Sequence, residues 1–201
     1  MAYNPKDYFF YKAKAENFAA RSVFKLQEID QRFKILKPGF KVLDLGAAPG
    51  SWSQYASQKI GSQGRLLGID LQQIRLTLPN AIFIKADFAE VDLTAFLAAL
   101  PEPQRIMPPF DIVLSDMAPK TTGIRITDQA RSLELCELAL LAAERFLKKG
   151  GTFVCKLFHG EDFENFRSAL RMRFESVEVL RPKSTRKESK EIFFIGLRIK
   201  T

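Results

Sequence analysis

The sequence predicts an α/β protein, a mainly parallel sheet with helices on both faces. Three observations predict it. Short apolar runs alternate with helical patterns along most of the chain, the pattern of strand–helix–strand units. The last two apolar runs follow each other with no helix between them, so they pair as an antiparallel hairpin at one edge. Hydrophobic residues make up 46% and charged residues 27% of the 201 positions, enough for a full core under a polar surface. No stretch rich in Pro or Gly separates two units. Residues 1–201 therefore read as a single domain, with residues 1–40 a basic, helical segment ahead of the first strand.

The elements follow in order. "ARSVFKLQEIDQRF" has helical spacing at Val23, Leu26 and Ile29. "KVLDLG" is a strand, and "SWSQYASQKIG" is a helix ended by Gly61. "RLLGID" and "AIFIKAD" are strands, and "VDLTAFLAAL" is a helix stopped by Pro101. "FDIVLSD" is a strand. "TDQARSLELCELALLAAERFL" is a long helix with Thr127 as its N-cap. "GGTFVCKLF" is a strand and "EDFENFRSALRMRF" a helix. "FESVEVL" and "EIFFIGLRI" are the edge hairpin, joined by a basic loop.

Composition excludes several classes. No apolar run is long enough to span a bilayer, and the N-terminus has no apolar signal core, so a cytoplasmic protein without membrane contact is expected. Cys136 and Cys155 sit in apolar periodic segments and read as reduced core residues. His159 cannot build a zinc site with two distant cysteines, and no metal is expected. The net charge of +8 favours a polyanionic partner, and nucleic acid is the commonest. The charge is concentrated before the first strand and in "RPKSTRKESK" near the C-terminus. Two basic blocks that folding can join form an electrostatic footprint.

In an open parallel sheet, ligands bind beyond the C-terminal ends of the strands. There the sequence places Asp44 and Gly46, Asp70, Asp87, Asp116 and Lys156. A core strand has no structural need for a terminal Asp, although some serve as caps or turn formers. The first turn, "GAAPGSW", lacks the third glycine of the dinucleotide fingerprint, which suits a nucleoside ligand without a pyrophosphate. Asp70 lies where an acid grips ribose hydroxyls. Asp87 can bond an adenine amino group, and Phe88 can pack on the base or join the core. A ribose clamp, an adenine acceptor and a phosphate-free glycine turn together point to S-adenosylmethionine, with S-adenosylhomocysteine as product.

"DLGAAPGSWSQ", "SDMAPKTTG" and "VCKLFHG" closely resemble the FtsJ-type ribose 2'-O-methyltransferases. "RSVFKLQEID" and "STRKESKEIFFI" match the outer motifs in the right order. The resemblance implies a Rossmann-like class I methyltransferase fold, a seven-stranded, mostly parallel sheet with one antiparallel edge strand. It maps a catalytic set of Lys, Asp, Lys and Glu onto Lys25, Asp116, Lys156 and Glu191. It maps cofactor positions onto Gly50, Trp52, Asp70, Asp87 and Asp116, to which the strand ends and the first turn add Asp44, Gly46, Ala47, Pro49 and Phe88. It also implies large-subunit ribosomal RNA as substrate, a uridine ribose in the A-loop near the peptidyl transferase centre, and a monomer. Arg21, Lys34, Lys37, Arg181, Lys183, Arg186, Lys187 and Lys190 are the expected RNA contacts.

Methyl transfer to a ribose 2'-oxygen needs a base or a positioned acceptor for a weakly acidic hydroxyl. Lys156 suits that role. An ammonium cannot accept a proton, so Lys156 would act as the free amine, which burial and Lys25 favour and Asp116 opposes. Alternatively the sulfonium is reactive enough, and Lys156 only aligns the hydroxyl. Rival readings are another RNA such as transfer RNA or an mRNA cap, and a ribosome assembly factor that keeps the fold without catalysis. A small domain with few additions suggests a ribosomal particle as substrate in preference to free RNA.

Overall fold

Seven strands form one sheet in a computed structural model that describes residues 7–102 and 106–200. The strands are β1 (Lys41–Leu45), β2 (Arg65–Asp70), β3 (Ala81–Lys85), β4 (Phe110–Ser115), β5 (Leu147–Phe158), β6 (Phe174–Leu180) and β7 (Glu191–Ile199). The helices are α1 (Tyr8–Ala15), α2 (Val23–Phe33), α3 (Ser51–Ile60), α4 (Leu93–Ala99), α5 (Arg125–Phe146) and α6 (Phe163–Arg173). The strand order is β3-β2-β1-β4-β5-β7-β6. β1 to β5 pair in parallel, and β7 runs antiparallel to both β5 and β6. The expected hairpin is therefore at one edge. Within it β7 is the reversed strand, inserted between β5 and β6, and β6 is the outermost.

Alternation along the strands builds two cores. Leu43, Leu45, Leu67, Phe153 and Cys155 face α4, α5 and α6. Val42, Leu66, Ile112, Leu114 and Val154 face α2 and α3. A parallel sheet covered on both faces needs such continuous apolar strands. α2 buries Val23, Leu26 and Ile29 completely, as its spacing predicts. α3 ends at Gly61, whose φ of 66° a side chain would strain. Cys136 and Cys155 are free and buried.

One local feature differs from the sequence reading, and two others add to it. α5 begins at Arg125, so Thr127 lies inside its first turn. The start is fixed by Asp128, whose carboxylate reaches back to Thr122 N (2.7 Å), Thr122 Oγ1 (2.9 Å) and Gly123 N (3.2 Å). α4 is capped by Asp92, which accepts from Ala95 N at 3.0 Å. In the N-terminal segment, α1 docks through Ala13 and through Phe9, 5.4 Å from the Phe24 ring, while Tyr8 and Tyr11 stay exposed. Among the described residues no helix is long and apolar enough to cross a membrane.

Candidate active site

The order reverses between β1 and β4, and there the turn after β1 meets the turn after β4. Asp116 N donates to Leu45 O at 3.2 Å. Gly46 has φ +71°, and a Cβ on it would lie 2.9 Å from the Met117 backbone. Only glycine fits that approach. Gly50 has φ +112°, and a Cβ there would meet the Leu76 side chain at 2.8 Å. Ala47, buried, and Pro49, joined to Ala48 by a cis bond, complete the turn.

The acids named from sequence line up along this edge of the sheet. Asp70, ending β2, accepts from Ala48 N at 2.9 Å and Gln72 N at 2.7 Å, so it braces the glycine turn. Asp87 lies on an exposed turn beyond β3 and accepts from Ala89 N at 2.9 Å. Phe88 beside it is half-buried against the core. Asp44 is fully buried inside β1. One oxygen accepts from Ser53 Oγ at 2.6 Å, and the other, Oδ1, has no partner among the described residues. Burial pushes its carboxyl up to about 7, the Ser53 bond opposes that, and the nearby Asp116 and Asp70 charges add to it.

Trp52, in the first turn of α3, is buried. Its side chain is only 2% exposed, lies 5.7 Å from the Phe193 ring, and donates Nε1–H to Ser22 O at 2.9 Å. The indole thus packs between the start of α2 and the Phe193 ring, beneath the Lys25 side chain. What Trp52 can present to a ligand is its backbone amide, in a helix first turn where amides lack intrahelical acceptors. Neighbouring contacts went unread in the sequence. Ser22 Oγ lies 2.7 Å from Ser51 Oγ, and Gln54 bonds Ala19 N at 2.7 Å and Asn17 O at 3.1 Å. These bonds fix the start of α2, and hence Lys25, against the glycine turn.

The four expected catalytic residues form two pairs. Lys25 Nζ, near the start of α2, lies 2.5 Å from Glu191 Oε2 at the start of β7. Lys156 Nζ donates to Asp116 O at 2.7 Å and lies 2.9 Å from Asp116 Oδ1, an ion-pair contact outside hydrogen-bond geometry. Register explains the pairing: Ser115 of β4 sits beside Cys155 of β5, so the next residues, Asp116 and Lys156, meet. Phe158 faces Glu191, and Lys156 faces Phe193, over whose ring Lys25 Nζ stands at 5.8 Å. Lys156 is 5% exposed, flanked in the buried half of β5 by Phe153, Val154, Cys155 and Leu157. A charged group held there at the strand ends is a functional arrangement by default.

A cavity of about 690 Å³ opens beside Lys25 and Glu191, with Arg21, Arg125, Arg186 and Lys190 around it. It has room for a nucleotide. The expected RNA contacts divide. Arg186, itself 3.6 Å from Asp7 Oδ2, and Lys190 line this cavity, and Lys183 and Lys187 are exposed on the same loop. Arg21 also lines it but is held by Asp7 and by Ser184 O. Arg181 donates to Arg186 O, Lys187 O and Ser189 O, so it staples its own loop. Lys34 and Lys37 follow the far end of α2, beside the start of β1, opposite the crevice. A basic run shows charge, but only the helix's direction shows which end of the sheet each lysine reaches. His159 is exposed; its ring stacks 5.0 Å from Phe163, and its backbone N–H donates to Lys190 O at 2.9 Å.

The FtsJ-like methyltransferase family matches residues 18–199. A ribosomal RNA large subunit methyltransferase E from Bdellovibrio bacteriovorus is 61% identical over 197 residues, 98% of each chain. A protein of the same name from Syntrophobacter fumaroxidans is 46% identical over 201 residues, 100% of this chain and 99% of that one. A crystal structure of a ribosomal RNA methyltransferase from Plasmodium falciparum superposes with a TM-score of 0.77 at 26% identity, covering 90% of this chain and 98% of that one. The chain belongs to the FtsJ-like methyltransferase family.

Proposed function

We propose that this chain transfers a methyl group from S-adenosylmethionine to a ribose 2'-hydroxyl of large-subunit ribosomal RNA, with an A-loop uridine as target. The names of its relatives support ribosomal RNA as the substrate. The observation that carries the chemistry is the row of polar side chains across the strand ends. Asp87, Asp70, Asp44 and Asp116 follow the order β3-β2-β1-β4, and Lys156 and Glu191 continue it over β5 and β7. The acidic half suits a cationic nucleoside, and the lysine half suits an RNA ribose.

The residues present fit the cofactor. The buried, unpartnered Asp44 Oδ1 is an acceptor for a cationic group, and the turn from Gly46 to Gly50 brings bare backbone to the crevice. S-adenosylmethionine supplies an electrophilic methyl when bound there. Asp70 and Asp87 would hold its ribose and adenine, and the Trp52 amide its carboxylate. Lys156, anchored on Asp116, holds the attacking 2'-oxygen in line. As the free amine it takes the hydroxyl proton; as the ammonium it stabilises charge on the oxygen. Lys25, neutralised by Glu191, borders the nucleotide's cavity. The same reading makes the chain one domain, acting as a cytoplasmic monomer on the assembled subunit.

The test is methyl transfer from labelled S-adenosylmethionine to undermethylated large subunits, free ribosomal RNA and transfer RNA, scored as alkali-resistant 2'-O-methyl dinucleotides. Label at one ribose of the subunit, lost in Lys156→Ala, is expected. No label on any RNA despite cofactor binding would overturn the reading.

A further inference from the structure

Across the cavity from Lys25 and Glu191 stands the turn between β4 and α5. It is exposed from Lys120 to Ile126 except for Asp128's grip behind it. Ile124 is 63% exposed and Ile126 76%, two aliphatic side chains with no packing partner in either core. Arg125 stands between them in sequence, lines the cavity with Thr121, and is exposed. Such a turn is ordinarily mobile. Here three hydrogen bonds to one buried carboxylate order it in place. Ordering an exposed turn costs conformational entropy and buries nothing within the protein. A pre-formed, unburied apolar pair beside a basic cavity fits a partner with apolar faces and negative charge together.

We infer that Ile124, Arg125 and Ile126 form an RNA-gripping rim: the two isoleucines pack on unpaired base or ribose faces next to the target nucleotide, and Arg125 takes a backbone phosphate. Asp128 is the positioning residue that presents them. The inference rests on the RNA methyltransferase reading. Single-stranded RNA exposes the apolar faces that aliphatic wedges contact, and each base carries a phosphate for the arginine. The continuity with the cavity sets the distance: a nucleotide seated against Lys25 has its chain neighbours at the rim. A ribosomal protein would offer apolar surface, but the rim's own charge is positive and it borders Arg186 and Lys190.

The test compares wild type with Ile124→Ser/Ile126→Ser and with Arg125→Gln in the subunit methylation assay. Both isoleucines are exposed, so folding is retained. The double variant should lower kcat/KM for the subunit about tenfold or more, the scale of one buried aliphatic side chain, with cofactor affinity unchanged. Arg125→Gln should reduce the salt slope of RNA binding by about one. A photo-crosslinker at position 124 should attach to RNA. Unaltered kcat/KM in both variants alongside an active wild type, or a crosslink to protein alone, would overturn the inference and leave the methyl-transfer reading standing. An inactive wild type would overturn that reading itself.

Discussion

Lys25 Nζ and Glu191 Oε2 lie 2.5 Å apart although 166 positions separate them in the chain. The contact joins the first turn of α2 to the first residue of β7 over the Phe193 ring. Both side chains are largely buried, so removing one leaves the other uncompensated. Glu191→Gln keeps an acceptor and should lower Tm by a few degrees, about 1–2 kcal/mol, between the values of surface and buried pairs. Lys25→Ala should retain cofactor binding and cut transfer at least tenfold, the lower bound for a positioning contact. Thermal denaturation and labelled-methyl transfer check the two.

Lys156→Ala should lower kcat by roughly 10²–10⁴ with unchanged cofactor affinity. Lys156→Arg separates its two roles. An arginine can hold the 2'-oxygen but cannot accept its proton. Activity of Lys156→Arg within about tenfold of wild type, a barrier change of one decade, would assign alignment. Activity as low as Lys156→Ala would assign proton transfer, provided that calorimetry shows the cofactor still binds.

The buried Asp44 makes stability depend on pH. Its carboxyl titrates at about 7 in the folded protein, against an ordinary value of 3.8. Between those values the folded protein holds a proton that the unfolded chain has released. Stability therefore falls as pH rises across that window and levels off above it. Asp44→Asn should flatten this slope in denaturant titrations at pH 5 and 8. A cationic cofactor favours the charged form, so its affinity should rise from pH 6 to 8 in wild type and not in the variant.

Trp52 is the single tryptophan, and its indole bridges α3 to Ser22 at the start of α2. Trp52→Phe loses that bond and leaves the Ser22 carbonyl with one fewer donor. A cost of about 1 kcal/mol is expected, with Lys25 less firmly placed. In wild type, intrinsic fluorescence should report the docking of α2 during unfolding.

The strands were legible because each is an apolar run bounded by turn residues, and the parallel order because helical patterns alternate with them. The acids at the strand ends were legible because a core strand does not call for Asp44, Asp70 or Asp116. What stayed hidden depends on direction and on contacts between distant turns. Nothing in "VFKLQEIDQRFKILK" distinguishes the end of α2 that faces the crevice, at Lys25, from the end that does not, at Lys34 and Lys37. The grip of Asp128 on Thr122 resembles an ordinary acid in a first turn. Trp52 follows the glycine turn directly in sequence, yet Ser22 at the start of α2, 30 residues earlier, claims its side chain. In sequence Arg181 is one more cation in a basic loop, yet its guanidinium donates to that loop's own carbonyls.

The reversed course of β7 ties one side of the crevice to the far edge of the sheet. A parallel strand offers the crevice its last residue, but β7 offers its first, and Glu191 reaches Lys25 only once β7 has slotted between β5 and β6. A sheet assembled from β1 to β5 would already hold Asp116 beside Lys156, yet lack the partner of Lys25 and the loop with Arg186 and Lys190. The pairing of Lys25 with Glu191 thus depends on closure of the whole sheet. The two halves of the crevice are therefore held together by a strand from the far edge of the sheet, and a change that loosens β7 would separate Lys25 from Glu191 without touching the turn after β1.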